Sequence, residues 1–525
     1  MTAGAAVAPA AALAAVPIAF ILVLMLAVGW SAARAGVAGL VAAVLLTPLF
    51  VGAGPGSDAL ATIFAGVFAE GGFTAASILW ILWPALALHL HQQQCGAVDA
   101  LRRGLGRVIA QPALQALLLG WFGALFFEGA AGFGTPVAIA APLLVALGLA
   151  PVAAVVLALL GHAAGVSFGA LGTPVAAQVA LTGLDPVAIA WRTALLHALV
   201  GGVLMFFFVR TLGRQGTANA TGGSRAPAPR VGRWAALAAA SFLLPSLALS
   251  ALAGPELATL GSALGGAALF VALLRRHHGT GVPEVAGDAK AGAGPQLGAA
   301  LWPYAVLVLL VLATRAWAPL AQALGAVVLQ WEWQGRFTGR LQPLVHPGTL
   351  LLVALVVGAR LQRVPLRTLG APLAQSARRL LPVTVALLAM LCLSRLMLHV
   401  GMIDALQQAA VRGLGPAWPL LAPAVGALGS FVTGSATASN VLFTSLQVQT
   451  AQALGLPVAL LVAAQGLGAA LGNIVCPHNI VAGAATVGLA GREAEVLRQT
   501  VWPCLLVLAL GGAMVAALVR IEATG

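Results

Sequence analysis

Long apolar stretches follow one another along the chain, from Val16 to near residue 519. A bilayer core about 30 Å thick requires roughly 20 apolar residues per membrane-spanning helix, so a chain of this length holds about 12 to 14 such segments. The strands of a membrane barrel would instead alternate with a period of two, and no such alternation is visible. The pattern therefore predicts an all-α polytopic membrane protein.

Two polar segments rich in Gly, Pro and Ala, at 211–233 and 275–294, interrupt the apolar pattern. Segments of this composition are typical of flexible loops. They predict an N-terminal transmembrane half at 1–210, a region of polar loops and linking transmembrane helices at 211–298, and a C-terminal transmembrane half at 299–525.

Basic residues cluster in three loops, near 102–107, 210–233 and 360–379. Cytoplasmic loops of membrane proteins carry an excess of Lys and Arg. These three loops are therefore predicted to be cytoplasmic, and the N-terminus to face outward.

Each half contains two apolar segments that are broken by small and polar residues. The breaks are GAAGFGTP at 129–136 and SFGALGTP at 167–174 in the first half, and TGSATASN at 433–440 and GNIVCP at 472–477 in the second. Between the breaks, LGLAPVAAVVLALLG from Leu147 is echoed by LGLPVALLVAAQG from Leu454. The halves are therefore predicted to be repeats, either parallel or inverted, with paired broken helices.

Irregular backbone within a membrane indicates packing inside the protein or a wet cavity, because unpaired N–H and C=O groups are costly in hydrocarbon. A helix that resumes after a break offers free N–H groups and the positive end of its dipole, which suit an anion. Transporters place paired broken helices at their substrate sites, whereas small residues alone would also suit tight helix packing. The predicted substrate-binding residues at the breaks are Gly132, Gly134, Thr135, Gly172, Thr173, Ser435, Thr437, Ser439 and Asn440.

Of the 13 acidic residues, Glu128 is assigned as the one deep in an apolar run, and the others, Glu70 among them, are placed near segment ends or in polar stretches. Burial disfavours a charged carboxylate, so Glu128 is predicted to carry protons. Alternatively, a protonated Glu128 only bonds free N–H groups at the break. His162 is a second candidate for proton coupling, unless a neighbouring carbonyl satisfies it. Arg395 either pairs with an anionic substrate or extends to the membrane surface.

The composition narrows the function class. The chain is 61% hydrophobic and 7% charged, with its net charge of +13 spread over loops, so a nucleic-acid partner is not predicted. The sequence lacks the clustered Asp residues of Mg²⁺-dependent lipid enzymes and the motifs of intramembrane proteases. Its four cysteines are far apart, and neither a metal nor a cofactor is predicted. A channel would show charged rings or a filter loop, so a secondary transporter explains the repeats and breaks best.

Two pairs of strings closely resemble the bacterial lactate permease family. They are FFEGAAGFGTPVAIAAPLLVALGLAP with FGALGTPV, and GSFVTGSATASNVLFTSLQ with PHNIVAGAATVGLAGRE. The family is similar in architecture to the ion-transporter superfamily, which implies two inverted repeats with re-entrant hairpins. The resemblance also implies uptake of L-lactate, with D-lactate and glycolate as further substrates, by proton symport across the cell inner membrane. The implied partners are a small monocarboxylate, protons and membrane lipid.

Two positions depart from the family pattern. Ala436 stands where the family usually has an acid, and Asn473 stands where a lysine often precedes the last break. Deleting one partner of a buried ion pair would leave the other charge buried without a countercharge. The absence of both the acid and the lysine therefore indicates that an ion pair was lost as a unit. The alternative function is therefore a carrier of a different small carboxylate, with either protons or sodium as the coupling ion.

Overall fold

The computed structural model describes residues 4–28, 30–51, 57–97, 100, 111–130, 132, 134–218, 231–278, 297–489 and 492–524. The basic cluster near 102–107 and most of both polar segments lie outside the described residues. The predicted membrane orientation and the predicted domain boundaries therefore stay predictions.

The described chain is almost entirely helical. Its first α-helices are α1 (Gly4–Leu26), α2 (Ala32–Val51), α3 (Ser57–Gln94), α4 (Pro112–Leu117), α5 (Ala124–Ala130), α6 (Thr135–Ala146), α7 (Pro151–His162), α8 (Gly169–Thr182), α9 (Pro186–Ala218), α10 (Val231–Leu252), α11 (Pro255–Ala258) and α12 (Leu260–His278). The remaining ones are α13 (Leu297–Ala316), α14 (Ala318–Gly325), α15 (Pro347–Leu361), α16 (Gly370–His399), α17 (Met402–Gly413), α18 (Trp418–Thr433), α19 (Ala436–Ala453), α20 (Val458–Gly472), α21 (Pro477–Thr486) and α22 (Glu493–Thr524). A π-helix at Leu118–Gly123 joins α4 to α5, and 3₁₀-helices occur at Ala163–Phe168, Leu366–Leu369 and Gly415–Ala417.

A small antiparallel β-hairpin interrupts the helices. Strands β1 (Leu329–Trp333) and β2 (Phe337–Leu341) pair with Trp331 opposite Gly339. The sequence analysis did not predict this hairpin.

Ten helical segments within the described ranges are long and apolar enough to cross a membrane. The pair 402–413 and 415–431, bent by 100°, adds an eleventh, one fewer than the lower end of the predicted range, and four further apolar helices are only 10–17 residues long. Segments 112–130, 151–182 and 458–484 have 83% or more of their most apolar stretch buried inside the protein. These segments enter or contain the sequence breaks, so the breaks lie in the interior. The predicted polytopic all-α fold is confirmed.

Each half contains a helical hairpin followed by a broken helix. In hairpin A (residues 112–130 and 135–146), α6 packs back along α5 and the π-helix. In hairpin B (residues 418–453), α19 packs back along α18. The element order thus repeats as predicted, and the inverted orientation of the repeats stays a prediction.

Matched glycines let each broken helix approach its hairpin. Gly161 of α7 faces the carbonyl of Gly120 in the π-helix, and Gly468 of α20 faces the carbonyl of Pro423 in α18. A Cβ at either glycine would overlap a backbone carbonyl, so a larger residue would force the helices apart. The same close contact in both halves supports the repeat assignment.

Candidate functional site

The sequence breaks of both halves meet around one cavity of about 30 Å³, the central cavity. An acid, a histidine, glycines, hydroxyls and amides from both repeats contribute to its wall. The lining residues are Glu128, Gly132, Gly134, His162, Val166, Gly169, Ala170, Thr173, Pro174, Gly434, Ser435, Ala436, Thr437, Asn473 and Asn479.

Four helices begin or resume at this cavity. Gly134, in left-handed conformation (φ 76°), is the N-cap of α6, and Ser435 is the N-cap of α19. The second part of α8 resumes at Thr173, and Asn479 lies in the first turn of α21. The first N–H groups of a helix lack intrahelical partners, and its dipole is positive at that end. The four N-termini therefore favour a small anion, although neither Lys nor Arg is found among the described lining residues.

The break in α8 is held in an unusual backbone conformation. Ala170 (φ 42°), Leu171 (φ 57°) and Gly172 (φ 78°) are all left-handed. This conformation costs a non-glycine residue roughly 1–2 kcal/mol. The Thr173 hydroxyl donates to the carbonyl of Ala170 at 2.6 Å and stabilises the turn. Strain of this kind clusters at functional sites, and only the glycine gave a signal in the sequence.

Glu128 lies in α5, just before the break of hairpin A, and is 5% exposed. Its carboxylate oxygen Oε1 packs against Gly169, where a Cβ would overlap it, and lies 3.5 Å from where a Cβ of Gly132 would be. In the described part of the chain, no basic side chain comes within 4 Å of this carboxylate. A buried carboxylate without a countercharge is costly, so this environment favours the neutral, protonated form.

His162 also lines the central cavity and is 1% exposed. Its Nδ1 lies 2.8 Å from the carbonyl oxygen of Ala158. Because a carbonyl only accepts, Nδ1 carries the proton, and in the neutral ring Nε2 is an acceptor. His162 thus has the backbone partner that the sequence analysis allowed for, and its proposed part in proton coupling stays a prediction.

Ser439 and Asn440 do not line the central cavity. Ser439 donates to the carbonyl of Gly426 at 2.7 Å, which ties α19 to α18. Asn440 donates to the carbonyl of Pro174 at 3.1 Å, which ties α19 to the break in α8. These two predicted substrate-binding residues instead join the elements that surround the cavity.

Gly172 and Thr135 also differ from the predicted arrangement. Gly172 packs against the backbone of Pro255 in α11 and does not line the cavity. The side chain of Thr135 lies outside the described part of the structure. Gly132, Gly134, Thr173, Ser435 and Thr437 do line the cavity, as predicted.

Arg395 does not line the central cavity, and its side chain is 10% exposed. Its Nη1 lies 3.3 Å from Oε1 of Glu70, and His399 Nε2 lies 2.9 Å from Oε2 of the same carboxylate. Arg395 also donates to the carbonyl of Ala180, at the end of α8, at 2.8 Å. The placement of Glu70 near a segment end was wrong: Glu70 is 6% exposed and lies within the 38-residue helix α3. Helix α3 continues without a break through the segment AEGGF that contains Glu70.

Both positions that depart from the family pattern line the central cavity. Ala436 begins α19, and Asn473 follows α20 at the last break. Asn473 donates to Ser430 Oγ at 2.8 Å and to the carbonyl of Ala469 at 3.0 Å. Their shared location is compatible with an acid and a base that were lost together.

A second, larger cavity of about 410 Å³, the side cavity, adjoins the central one. Gly434, Ser435 and Thr437, at the tip of hairpin B, line both cavities. The rest of the side cavity is mainly apolar and includes Leu82, Pro382, Val383, Leu387, Met390 and Phe431. The tip of hairpin B is therefore the wall between the two spaces.

Solved transporter structures share this fold. The YdaH transporter of Alcanivorax borkumensis matches with a TM-score of 0.54 and 14% identity, over 94% of this chain and 99% of that chain. MtrF of Neisseria gonorrhoeae, described as an antimetabolite efflux pump, matches with a TM-score of 0.53 and 15% identity, over 94% and 96%. At these identities the likeness concerns the fold alone.

Relatives found by sequence similarity identify the family more specifically than the shared fold does. The L-lactate permease of Escherichia coli is 28% identical over 496 residues, covering 87% of this chain and 86% of that protein. The glycolate permease GlcA of Escherichia coli is 29% identical over 469 residues, and the putative L-lactate permease of Haemophilus influenzae is 26% identical over 466. These alignments cover 81% of this chain in both cases, with 81% of GlcA and 84% of the Haemophilus protein. The L-lactate permease family matches residues 10–340 and 337–522. The chain therefore belongs to the L-lactate permease family, whose members are membrane transporters and not enzymes.

Proposed function

We propose that this protein is a secondary active transporter that imports L-lactate, and also D-lactate and glycolate, by proton symport across the cell inner membrane. The observation that carries the proposal is the convergence of four helix N-termini and a buried carboxyl group on one cavity. The names of the relatives, L-lactate permease and glycolate permease, support the substrate class.

The substrate carboxylate binds the free N–H groups at the breaks, where the helix dipoles compensate its charge. Thr173, Ser435 and Thr437 supply hydroxyl groups on the same wall. Glu128 takes up the cotransported proton as the anion binds, with His162 beside it on the cavity. One monovalent anion and one proton cross together, so transport is electroneutral.

The central cavity holds little more than a water or two at about 30 Å³. A three-carbon acid therefore requires the wall to open, and the tip of hairpin B separates this space from the side cavity. Movement of this tip admits the substrate, and the repeats that carry the site then move between the two faces of the membrane.

Uptake of radiolabelled L-lactate into proteoliposomes tests the proposal. An inward proton gradient should drive accumulation, a proton ionophore should collapse it, and glycolate should compete. Accumulation that follows a sodium gradient and ignores the ionophore would contradict proton coupling. Transport of another carboxylate in place of lactate would contradict the substrate assignment.

Substituting Gly134 with valine should raise the KM for lactate at least about tenfold, equivalent to about 1.4 kcal/mol of binding free energy. A Cβ at Gly134 would lie 3.1 Å from Asn479 Oδ1, so the side chain would fill the space in front of the α6 N-terminus. Gly148→Val is the matched control: Gly148 is also left-handed (φ 88°), but nothing lies within 4 Å of its Cβ position. Equal KM values in the two variants would show that substrate does not approach the α6 N-terminus.

A further inference from the structure

Asn479 is a buried side chain with an unused acceptor. It is 2% exposed, lines the central cavity and lies in the first turn of α21. Its Oδ1 is buried and has no hydrogen-bond partner within the described structure. Native proteins rarely leave such an atom unpaired, so an unpaired acceptor on a cavity wall points to a ligand that donates.

The orientation of this amide is fixed by its neighbours. Asn473 Nδ2 donates to the carbonyl of Ala469, which only accepts, so Asn473 Oδ1 must face the other way, towards Asn479. Asn479 Nδ2 donates to that oxygen at 2.7 Å and to the Asn473 carbonyl at 3.3 Å. A flipped Asn479 would set its oxygen against two acceptors. The geometry therefore leaves Oδ1, and not the NH₂ group, for the cavity.

This acceptor lies next to the N-terminus of α6. Oδ1 is 3.1 Å from the Cβ position of Gly134, the N-cap residue of α6. The free N–H groups of α6 suit a carboxylate. The site therefore offers donors and this acceptor side by side. A 2-hydroxy acid presents the complement, because its carboxylate accepts and the hydroxyl on the adjacent carbon donates.

We propose that Asn479 Oδ1 accepts the hydrogen bond of the substrate 2-hydroxyl group and makes the transporter selective for 2-hydroxy acids. The inference rests on the proposed function, since it assigns one contact within that site. A 2-oxo acid such as pyruvate would place its keto oxygen, an acceptor, against the acceptor Oδ1. Propionate has no group at this carbon that could donate to Oδ1, so the atom would stay unpaired. Asn473 acts as a positioning residue that holds the amide in this orientation.

The wild-type protein provides the first test. Inhibition of radiolabelled L-lactate uptake into proteoliposomes is measured with unlabelled L-lactate, 2-fluoropropionate, propionate and pyruvate. Fluorine resembles the hydroxyl in size and lacks the proton. The three analogues should inhibit at least about tenfold more weakly than lactate, because a site that hydrogen-bonds a substrate hydroxyl rejects analogues without it.

Substituted variants test whether Asn479 is the residue that produces the selectivity for a 2-hydroxyl group. Asn479→Leu should bring the inhibition constants of lactate and 2-fluoropropionate within about twofold of each other, since both then face an apolar side chain. Asn440→Leu is the matched control: Asn440 is a buried amide at another break, outside the central cavity, so the wild-type ratio should persist. Asn473→Ala removes the shorter of the two contacts that hold the Asn479 NH₂ group and leaves only the longer one to the backbone carbonyl of residue 473, so the preference for lactate over pyruvate should weaken.

Two kinds of failure are distinguishable. Wild-type protein that does not carry lactate contradicts the proposed function and this inference with it. Lactate uptake that 2-fluoropropionate inhibits as strongly as lactate itself contradicts the role of Asn479 alone, as does an unchanged ratio in Asn479→Leu. Where Asn479→Leu does not fold, an unchanged pyruvate-to-lactate ratio in Asn473→Ala overturns the inference.

Discussion

Replacing Glu128 with glutamine is expected to abolish proton-driven accumulation of lactate while lactate exchange across the vesicle membrane continues. Glutamine keeps the size and hydrogen-bonding capacity of the protonated side chain but cannot release a proton. The central cavity, which Glu128 lines, thus keeps its shape and its helix N-termini. The proton gradient, however, loses its link to the substrate, and the accumulation ratio should fall to the level seen with an ionophore.

The measurement compares gradient-driven uptake with exchange at equal pH on both sides. Glu256→Gln is the control, because Glu256 is also a buried acid but does not line the central cavity. It should retain the gradient response. If Glu128→Gln still accumulates lactate in response to the gradient, Glu128 has only the structural role of bonding N–H groups at the break.

Arg395→Leu is expected to destabilise the protein by about 3–5 kcal/mol, because it leaves the Glu70 carboxylate buried without its main countercharge. The side chains of Arg395 and Glu70 are 10% and 8% exposed, so solvent screens the pair little. The substitution also removes the bond from α16 to the carbonyl of Ala180 in α8. The melting temperature in detergent should fall accordingly.

The double variant Glu70→Gln with Arg395→Leu separates these effects. It removes both charges, so it should be more stable than Arg395→Leu alone, and Glu70→Gln alone completes the double-mutant cycle that gives the coupling between the two residues. A double variant as unstable as the single one would show that the bond to Ala180 matters more than the ion pair. Arg492→Ala, which breaks the exposed pair with Glu495, should leave the melting temperature unchanged.

The apolar runs and their breaks predicted the fold because the membrane imposes a strong, local constraint: each span must be long and apolar, and each break must be sheltered. For the same reason, the sequence located the loops that carry Gly134, Thr173 and Ser435. It did not distinguish Thr437, which lines the cavity, from Ser439, which bonds to the opposite helix. Both are small polar residues near one break, and only the direction of each side chain separates them.

Long-range pairing was outside the reach of the sequence analysis. Glu70 and Arg395 are more than 300 positions apart, so the sequence around either residue does not indicate that the two form an ion pair. Asn479 was missed because its orphaned oxygen depends on a chain of amide contacts through Asn473. The left-handed conformation of Ala170 and Leu171 has no signature in residue type, because neither alanine nor leucine favours it.

The apolar wall of the side cavity bears on the valence of the substrates. An anion that entered by this space would lose water against a mainly apolar wall, where side chains such as Leu387, Met390 and Phe431 offer it no hydrogen bonds. A monovalent acid has one charge to desolvate, whereas a dicarboxylate has two. The described residues that line the central cavity include neither a Lys nor an Arg to pair with the second charge. If the proposed entry through the side cavity is correct, substrates are selected by their number of charges before they contact the polar groups of the central cavity.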